Sequence, residues 1–213
     1  MTETTPQTPI TFSDRMRVMF KGTLDAMAGG LLRLGLRPNW VTLLGLLGTT
    51  GGAVLLAFGN FRWGGVLILL MGVLDALDGS MARLSGQSTS FGAFLDSVTD
   101  RYSDLFILGG LLVYYFLHPQ GWAVPVIFVA AIGTVQVSYV KARAESLGMT
   151  ANIGLLSRLE RFLILLPCLL LNVPMVAVWI LAFLTHFTAL QRIWSVWKQC
   201  QKPAPVSIND QKE

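Results

Sequence analysis

Six largely apolar stretches, at 40–58, 61–84, 90–117, 121–147, 157–172 and 175–198, make up most of this 213-residue chain. Several are long enough, at about 1.5 Å per residue, to cross the roughly 30 Å of hydrocarbon in a bilayer. Composition agrees, because 53% of residues are hydrophobic and only 13% charged, whereas a soluble domain carries about 25% charged residues. Turn formers separate the stretches: Gly59-Asn60, Ser85-Gly86-Gln87-Ser88, His118-Pro119-Gln120-Gly121, Gly148 to Gly154 and Asn172-Val173-Pro174. The expected fold is all-α and integral to the membrane, with six transmembrane helices in one domain over 14–198.

Ahead of the first crossing, Asp14 to Leu36 interleaves Arg15, Arg17, Lys21 and Arg33 with Met16, Met19, Phe20, Leu24, Met27, Leu31 and Leu32. That pattern predicts an amphipathic helix lying in the membrane interface. It breaks at Leu36-Arg37-Pro38-Asn39, with Pro38 and Asn39 placed to start the next helix. Residues 1–13 and 199–213 are expected to be polar tails, and the first lacks the basic start and short apolar core of a signal peptide. Six crossings put both termini on one side. Arg15, Arg17, Lys21, Arg33, Arg37, Arg83, Lys141, Arg143, Arg158, Arg161, Lys198 and Lys202 fall at one set of ends, and only Arg62 at the other. The positive-inside rule makes that set cytoplasmic in the cell membrane.

Between Asp75 and Asp100 the chain reads D-A-L-D-G-S-M-A-R-L-S-G-Q-S-T-S-F-G-A-F-L-D-S-V-T-D. Asp75 and Asp78 are three apart and Asp96 and Asp100 four apart, so each pair projects from one face of its own helix. Two such helices side by side make a cluster of four carboxylates at the cytoplasmic ends of the second and third spans. Four like charges near hydrocarbon repel one another unless cations neutralise them. Oxygen ligands of this kind favour Mg²⁺, Mn²⁺ or Ca²⁺ over zinc.

The spacing D(x)2DG(x)2AR(x)8G(x)3D(x)3D, carried by Asp75, Asp78, Gly79, Ala82, Arg83, Gly92, Asp96 and Asp100, resembles the CDP-alcohol phosphotransferase family. The resemblance implies an integral-membrane enzyme that displaces CMP from a CDP-linked lipid with an alcohol. It implies two Mg²⁺ ions, with Mn²⁺ an alternative, held by Asp75, Asp78 and Asp96. Asp100 would assist the metal and take the acceptor's proton. Two metals about 3.5–4 Å apart can clamp the charge that builds on phosphate oxygens during such a displacement. Gly79 either lets the nucleotide approach the helix or serves close helix packing. Arg83 either contacts the cytidine diphosphate or anchors the cytoplasmic face. Pro38, Asn39 and Thr42 resemble the family's nucleotide-side stretch, with helix capping as the other reading. The family also implies a homodimer, for which Gly109 and Gly110 would permit close packing.

A basic constellation follows in Ser138-Tyr139-Val140-Lys141-Ala142-Arg143-Ala144-Glu145, Arg158-Leu159-Glu160-Arg161 and Gln191-Arg192. Arg192 lies well inside the last apolar stretch, where an unpaired cation costs about 2.5–3.5 kcal/mol, so it needs an anion or a path to water. An acceptor phosphate would satisfy Arg143, Arg161 and Arg192 through their planar forks, with Ser138, Lys141 and Arg158 alongside. The pattern resembles the bacterial phosphatidylinositol-phosphate synthase branch of the family, except that Leu159 stands where that branch has proline. The branch implies CDP-diacylglycerol as donor and inositol phosphate as acceptor, with glycerol 3-phosphate as the alternative acceptor. Asp104 either binds acceptor hydroxyls or pairs with a cation.

His118 and His186 read as structural, and Cys168 and Cys200 are too few for a disulfide framework. Trp63, Trp122, Trp179, Trp194 and Trp197 fall near helix ends as interfacial anchors do. The basic residues follow membrane topology, so nucleic acid is not an expected partner. The same carboxylates would suit a divalent-cation carrier, but such sites lie near the midplane between internal repeats, and no inverted repeat is visible here.

Overall fold

The computed structural model describes residues 12–86 and 88–201, and side chains from Met19 onward within that range. Most of both expected tails, with Lys202 and the side chains of Arg15 and Arg17, lies outside the described residues. Among the described residues seven helices follow one another: α1 Phe12–Arg33, α2 Pro38–Ala57, α3 Phe61–Leu84, α4 Ser90–Leu117, α5 Ala123–Ser146, α6 Arg158–Leu170 and α7 Pro174–Cys200. No strand occurs among the described residues.

Local chemistry sets the boundaries. Helix α1 stops at Arg33, three residues short of the expected Leu36, because Gly35 takes a left-handed φ of 79°. The Leu36 and Gly35 amides then fold back onto the Leu31 and Leu32 carbonyls, which closes the helix in a Schellman cap. Pro38 opens α2 at a position where its missing N–H costs nothing. Asn172 closes α6 in the same left-handed way at φ 63°, ahead of Pro174 at the start of α7.

Among the described residues four helices, α2, α3, α5 and α7, are long and apolar enough to cross a membrane. Of the six expected crossings, the two centred on α4 and α6 do not meet that measure. Helix α4 has 28 residues but carries Asp96, Asp100, Arg101 and Asp104 within its first fifteen. Helix α6 has 13 residues, which span only about 20 Å, against the 157–172 read from the sequence.

Helices α2 to α7 share one core, in which Leu56, Ile68, Leu111, Ile127, Leu169 and Val178 are wholly or almost wholly buried. Close approach is built in where α2 meets its neighbours. A Cβ on Gly64 would stand 2.9 Å from the Gly52 carbonyl oxygen, and one on Gly110 would collide with the Ala53 backbone. Gly110 is therefore used inside the bundle, between α4 and α2, and is not free for contact between chains. Gly109 faces open space. Helix α1 rests on α3 through Ala28, which is fully buried with Val41 and Met81, while Met19, Phe20 and Met27 are exposed. The outer surface is strongly apolar, with Leu47, Phe58, Trp63, Phe116, Trp122 and Phe183 all exposed.

The segment joining α5 to α6 is fastened along α7. The Thr150 and Leu155 amides donate to the Gln199 and Gln191 side chains at 3.0 and 3.3 Å, and the Leu156 amide to Thr188 Oγ1 at 3.2 Å. Arg192 Nε donates to the Ile153 carbonyl at 3.0 Å. These contacts fix where α6 begins, and its first residue is Arg158.

Candidate active site

Helices α3 and α4 each bring two carboxylates inward. Asp75, Asp78 and Asp96 each offer one oxygen, and the three oxygens lie within 4.8 Å of one another. Such a set of hard donors on two rigid helices fits a divalent cation of the Mg²⁺ or Mn²⁺ type. Asp75 stands nine residues before the end of α3 and Asp96 six residues after the start of α4, so the site is about 9–13 Å inside the helix ends.

Asp78 is 5% exposed and accepts a hydrogen bond of 2.5 Å from Thr42 Oγ1, itself 4% exposed. The Thr42 hydroxyl also lies 3.2 Å from the Pro38 carbonyl, but it has one proton, and the carboxylate is the shorter and charged partner. The Thr42 hydroxyl thus turns to a metal-type ligand, because α2 packs directly against α3. Pro38 is buried. Asn39 is half-buried, its amide oxygen 3.3 Å from where a Cβ on Gly92 would stand. Gly92 itself sits in the first turn of α4, where its amide donates to Thr89 Oγ1 at 3.0 Å.

On the exposed side, a Cβ on Gly79 would meet nothing closer than Arg83 Nη1 at 3.6 Å. The helix face at Gly79 is therefore open and not packed against another helix. Arg83 is exposed and donates to Ser80 Oγ at 2.9 Å.

Asp100 is not part of the three-carboxylate group. One nitrogen of Arg158, Nη1, lies 2.5 Å from Asp100 Oδ1 and 2.6 Å from Asp75 Oδ2, bridging the two. Arg158 was grouped in the sequence with the acceptor-phosphate residues, whereas its partners here are carboxylates. Its helix begins at the level of Asp75, and no sequence signal fixes that depth. Three residues on, Arg161 Nη2 pairs with Asp104 Oδ2 at 2.7 Å, and both are buried or nearly so. Asp104 thus takes the cation-pairing alternative.

Arg192 is 6% exposed and has two carbonyl partners, Ile153 at 3.0 Å and Val137 at 2.5 Å. The demand for a partner inside an apolar helix is met by the backbone of α5 and of the α5–α6 segment, which the sequence pattern does not reveal. Arg161 Nε has no hydrogen-bond partner. Lys141 pairs with Glu145 at 3.7 Å, and exposed Arg143 lies near Ser146 Oγ at 3.4 Å. Ser138 is half-buried on α5. The structure thus gives Arg161 and Arg192 separate partners and ties Lys141 and Arg143 to partners on their own helix. Outside the site, His118 and His186 ring nitrogens lie 3.1 Å from the Tyr114 and Val129 carbonyls, and Cys168 and Cys200 are unpaired thiols.

Residues 36–191 match the CDP-alcohol phosphatidyltransferase family. The chain belongs to that family. It is 36% identical over 192 residues to a phosphatidylinositol phosphate synthase of Mycobacterium marinum, covering 85% of this chain and 82% of the relative. It is 34% identical over 188 residues to an archaetidylinositol phosphate synthase of Pyrococcus horikoshii, covering 88% and 97%. Among solved structures it resembles the Mycobacterium tuberculosis phosphatidylinositol phosphate synthase with CDP-DAG bound, at a TM-score of 0.77 and 33% identity over 86% of this chain and 96% of that one. The complex of that enzyme with manganese and citrate superposes with a TM-score of 0.78 at the same identity, over 86% and 92%.

Proposed function

We propose that this chain is a membrane phospholipid synthase that transfers the phosphatidyl group of CDP-diacylglycerol to a hydroxyl of inositol phosphate, releasing CMP. The observation that carries this is the meeting of three metal-type carboxylates with a fourth beside them, and the buried Arg161 paired with Asp104 one turn further along α4. Relatives bearing the inositol phosphate synthase name, and the likeness to a structure with CDP-DAG bound, support the choice of donor and acceptor.

Asp75, Asp78 and Asp96 would hold Mg²⁺ or Mn²⁺, as the manganese complex of the related structure supports. Two such ions, when bound, neutralise negative charge on the pyrophosphate oxygens. The open face at Gly79 leaves room for the nucleotide against the helix backbone, with Arg83 and Asn39 at its rim and Pro38 and Thr42 buttressing the helix behind it. Asp100 accepts the proton of the acceptor hydroxyl as its oxygen bonds to the lipid-side phosphorus and the bond to CMP breaks. Arg161 and Arg192, with Ser138, Lys141, Arg143 and Arg158 around them, receive the acceptor's phosphate.

The domain over 14–198 would cross the bilayer six times, α6 included. Arg158 at its start is level with Asp75 of α3, while Leu170 at its end accepts from Arg62 Nε at 3.3 Å, near the start of α3. Helix α6 thus runs beside α3 from the site to the far face. Helix α1 lies in the interface, the basic ends and both termini face the cytoplasm, and two chains pair as a homodimer.

The test is CMP release from CDP-diacylglycerol by the purified chain, measured with inositol phosphate, inositol, glycerol 3-phosphate and serine. Inositol phosphate is expected to be the best acceptor and neutral inositol a poor one. A preference for glycerol 3-phosphate would overturn the acceptor, and absence of CMP release with bound divalent ion would favour a carrier.

A further inference from the structure

Buried threonines in these helices place their hydroxyl protons on their own backbone. Thr99, Thr185 and Thr188 each donate to the carbonyl four residues earlier, at 3.0, 2.6 and 2.8 Å. Thr134 on α5 is as deeply buried, at 4% exposure, yet its Oγ1 has no hydrogen-bond partner. On α6 the same is true of Arg161 Nε, in a residue 5% exposed. Both residues line one cavity of about 20 Å³, together with Asp104. Its other walls, among them Ile107, Phe162 and Leu181, are apolar. An unpaired buried polar atom is costly, so two at the wall of one small cavity point to a shared partner.

We infer that this cavity holds one water molecule, and that through it Thr134 fixes the plane of the Arg161 guanidinium. The cavity exceeds the roughly 10–15 Å³ that a single water needs, and its polar residues offer the partners such a water requires. The water accepts from Arg161 Nε–H and from the Thr134 hydroxyl, and donates to the Asp104 carboxylate. A cation is disfavoured beside Arg161 and an anion beside Asp104, so a neutral molecule suits the site.

The consequence lies in how Arg161 is held. Nε and Nη2 share one edge of the planar guanidinium. Asp104 Oδ2 takes Nη2 at 2.7 Å and the water takes Nε, so that edge is fixed and the Nη1 end meets the acceptor phosphate. This last step rests on the transferase reading above. A fork clamped along one edge has given up its rotamer freedom before the phosphate arrives, which lowers the cost of binding it. Thr134 is therefore a positioning residue that touches neither substrate nor metal.

An experimental map of the wild-type chain, fine enough to show ordered water, gives the first test. One peak is expected within about 3.2 Å of both Thr134 Oγ1 and Arg161 Nε. A map with no peak there, and with the Thr134 hydroxyl turned to the Ala130 carbonyl, would overturn the inference. It uses the wild type alone, so it decides even if a variant fails to fold. Thr134→Val keeps the shape without the hydroxyl, and its effect on melting in detergent depends on the water. A bridged hydroxyl predicts a Tm lower by at least about 2 °C, because the water loses a partner. An unchanged or higher Tm is the result of a dry cavity, where valine only removes an unsatisfied group, and would refute the water. In CMP-release assays Thr134→Val should raise the KM for inositol phosphate about fivefold, the size of one net hydrogen bond, and leave the KM for CDP-diacylglycerol unchanged. Thr134→Ser should return the acceptor KM to within about twofold of wild type. An equal rise in both constants, or a serine variant no better than valine, would overturn the positioning role. If no acceptor supports CMP release, the transferase reading fails, while the map and the melting curves still decide the water.

Discussion

Replacing Thr42 by Val isolates a single hydrogen bond at the centre of the site. Valine keeps the branched shape and nearly the volume, so the α2–α3 packing around Val41 and Leu77 is left intact. What is lost is the 2.5 Å contact to Asp78 Oδ2, made between two side chains that are each about 5% exposed or less. No water reaches either atom freely, so no solvent bond replaces it. A hydrogen bond to a charged group is worth about 1.5–3 kcal/mol, which corresponds to roughly ten- to a hundredfold in an equilibrium constant. The bond exists before the ion arrives as well as after, so the loss on binding is mainly orientation of the carboxylate. That points to the lower end, about tenfold weaker Mn²⁺ binding, within the range typical of groups that orient metal ligands.

Mn²⁺ titration of wild type, Thr42→Val and Thr42→Ser provides the measurement. Serine restores the hydroxyl and is expected within about twofold of wild type, a difference of under 0.5 kcal/mol. Saturating Mn²⁺ should return most of the turnover of Thr42→Val without raising the apparent KM for the CDP-linked donor. If Thr42 touched the nucleotide, that KM would stay high at any Mn²⁺ concentration. Unchanged Mn²⁺ affinity in Thr42→Val would refute the orienting role outright.

Asp75→Asn and Asp96→Asn each remove a formal charge from the three-oxygen group and should abolish CMP release, as should a chelator; full turnover in chelator would contradict the site assignment. Asp100→Asn should slow turnover at least about 10²-fold, as expected for loss of a general base, while Mn²⁺ and donor still bind; an unimpaired rate would remove Asp100 from the chemistry. Gly110→Ala forces a methyl group into the Ala53 backbone, so thermal unfolding in detergent should show a loss of about 1–3 kcal/mol. Gly109→Ala, facing open space on the same helix, should cost nothing and can gain up to about 1 kcal/mol of helix propensity.

The helices were legible because their signals are local. Pro38 opens α2, Asn172-Val173-Pro174 ends α6 and begins α7, and the Asp75–Asp100 spacing puts both carboxylate pairs on helices, as α3 and α4 have them. What the sequence does not carry is depth and partnership. Nothing in Leu156-Ser157-Arg158 says that α6 starts level with Asp75, because that level is set by Thr188, Gln191, Arg192 and Gln199 holding the preceding segment on α7. The reach of 157–172 was overread for the same reason. A stretch apolar enough to be a span includes residues that the fold assigns to that fastened segment and to the Asn172 turn. Arg192 likewise read as a cation in want of an anion, since backbone carbonyls such as those of Ile153 and Val137 leave no mark in composition.

The depth of the site follows from how its charges are paired. Asp75 and Asp100 share Arg158, Asp104 has Arg161, and Asp78 has the Thr42 hydroxyl. Unpaired, a carboxylate carried well inside these helices would cost up to about 2.5–3.5 kcal/mol by membrane-insertion scales. Arginines on a separate helix remove most of that cost, and α6 is short enough to present both of them at the level of the aspartates, with nothing of its own continuing past it. The place where α6 starts is thus what sets its two arginines level with the aspartates.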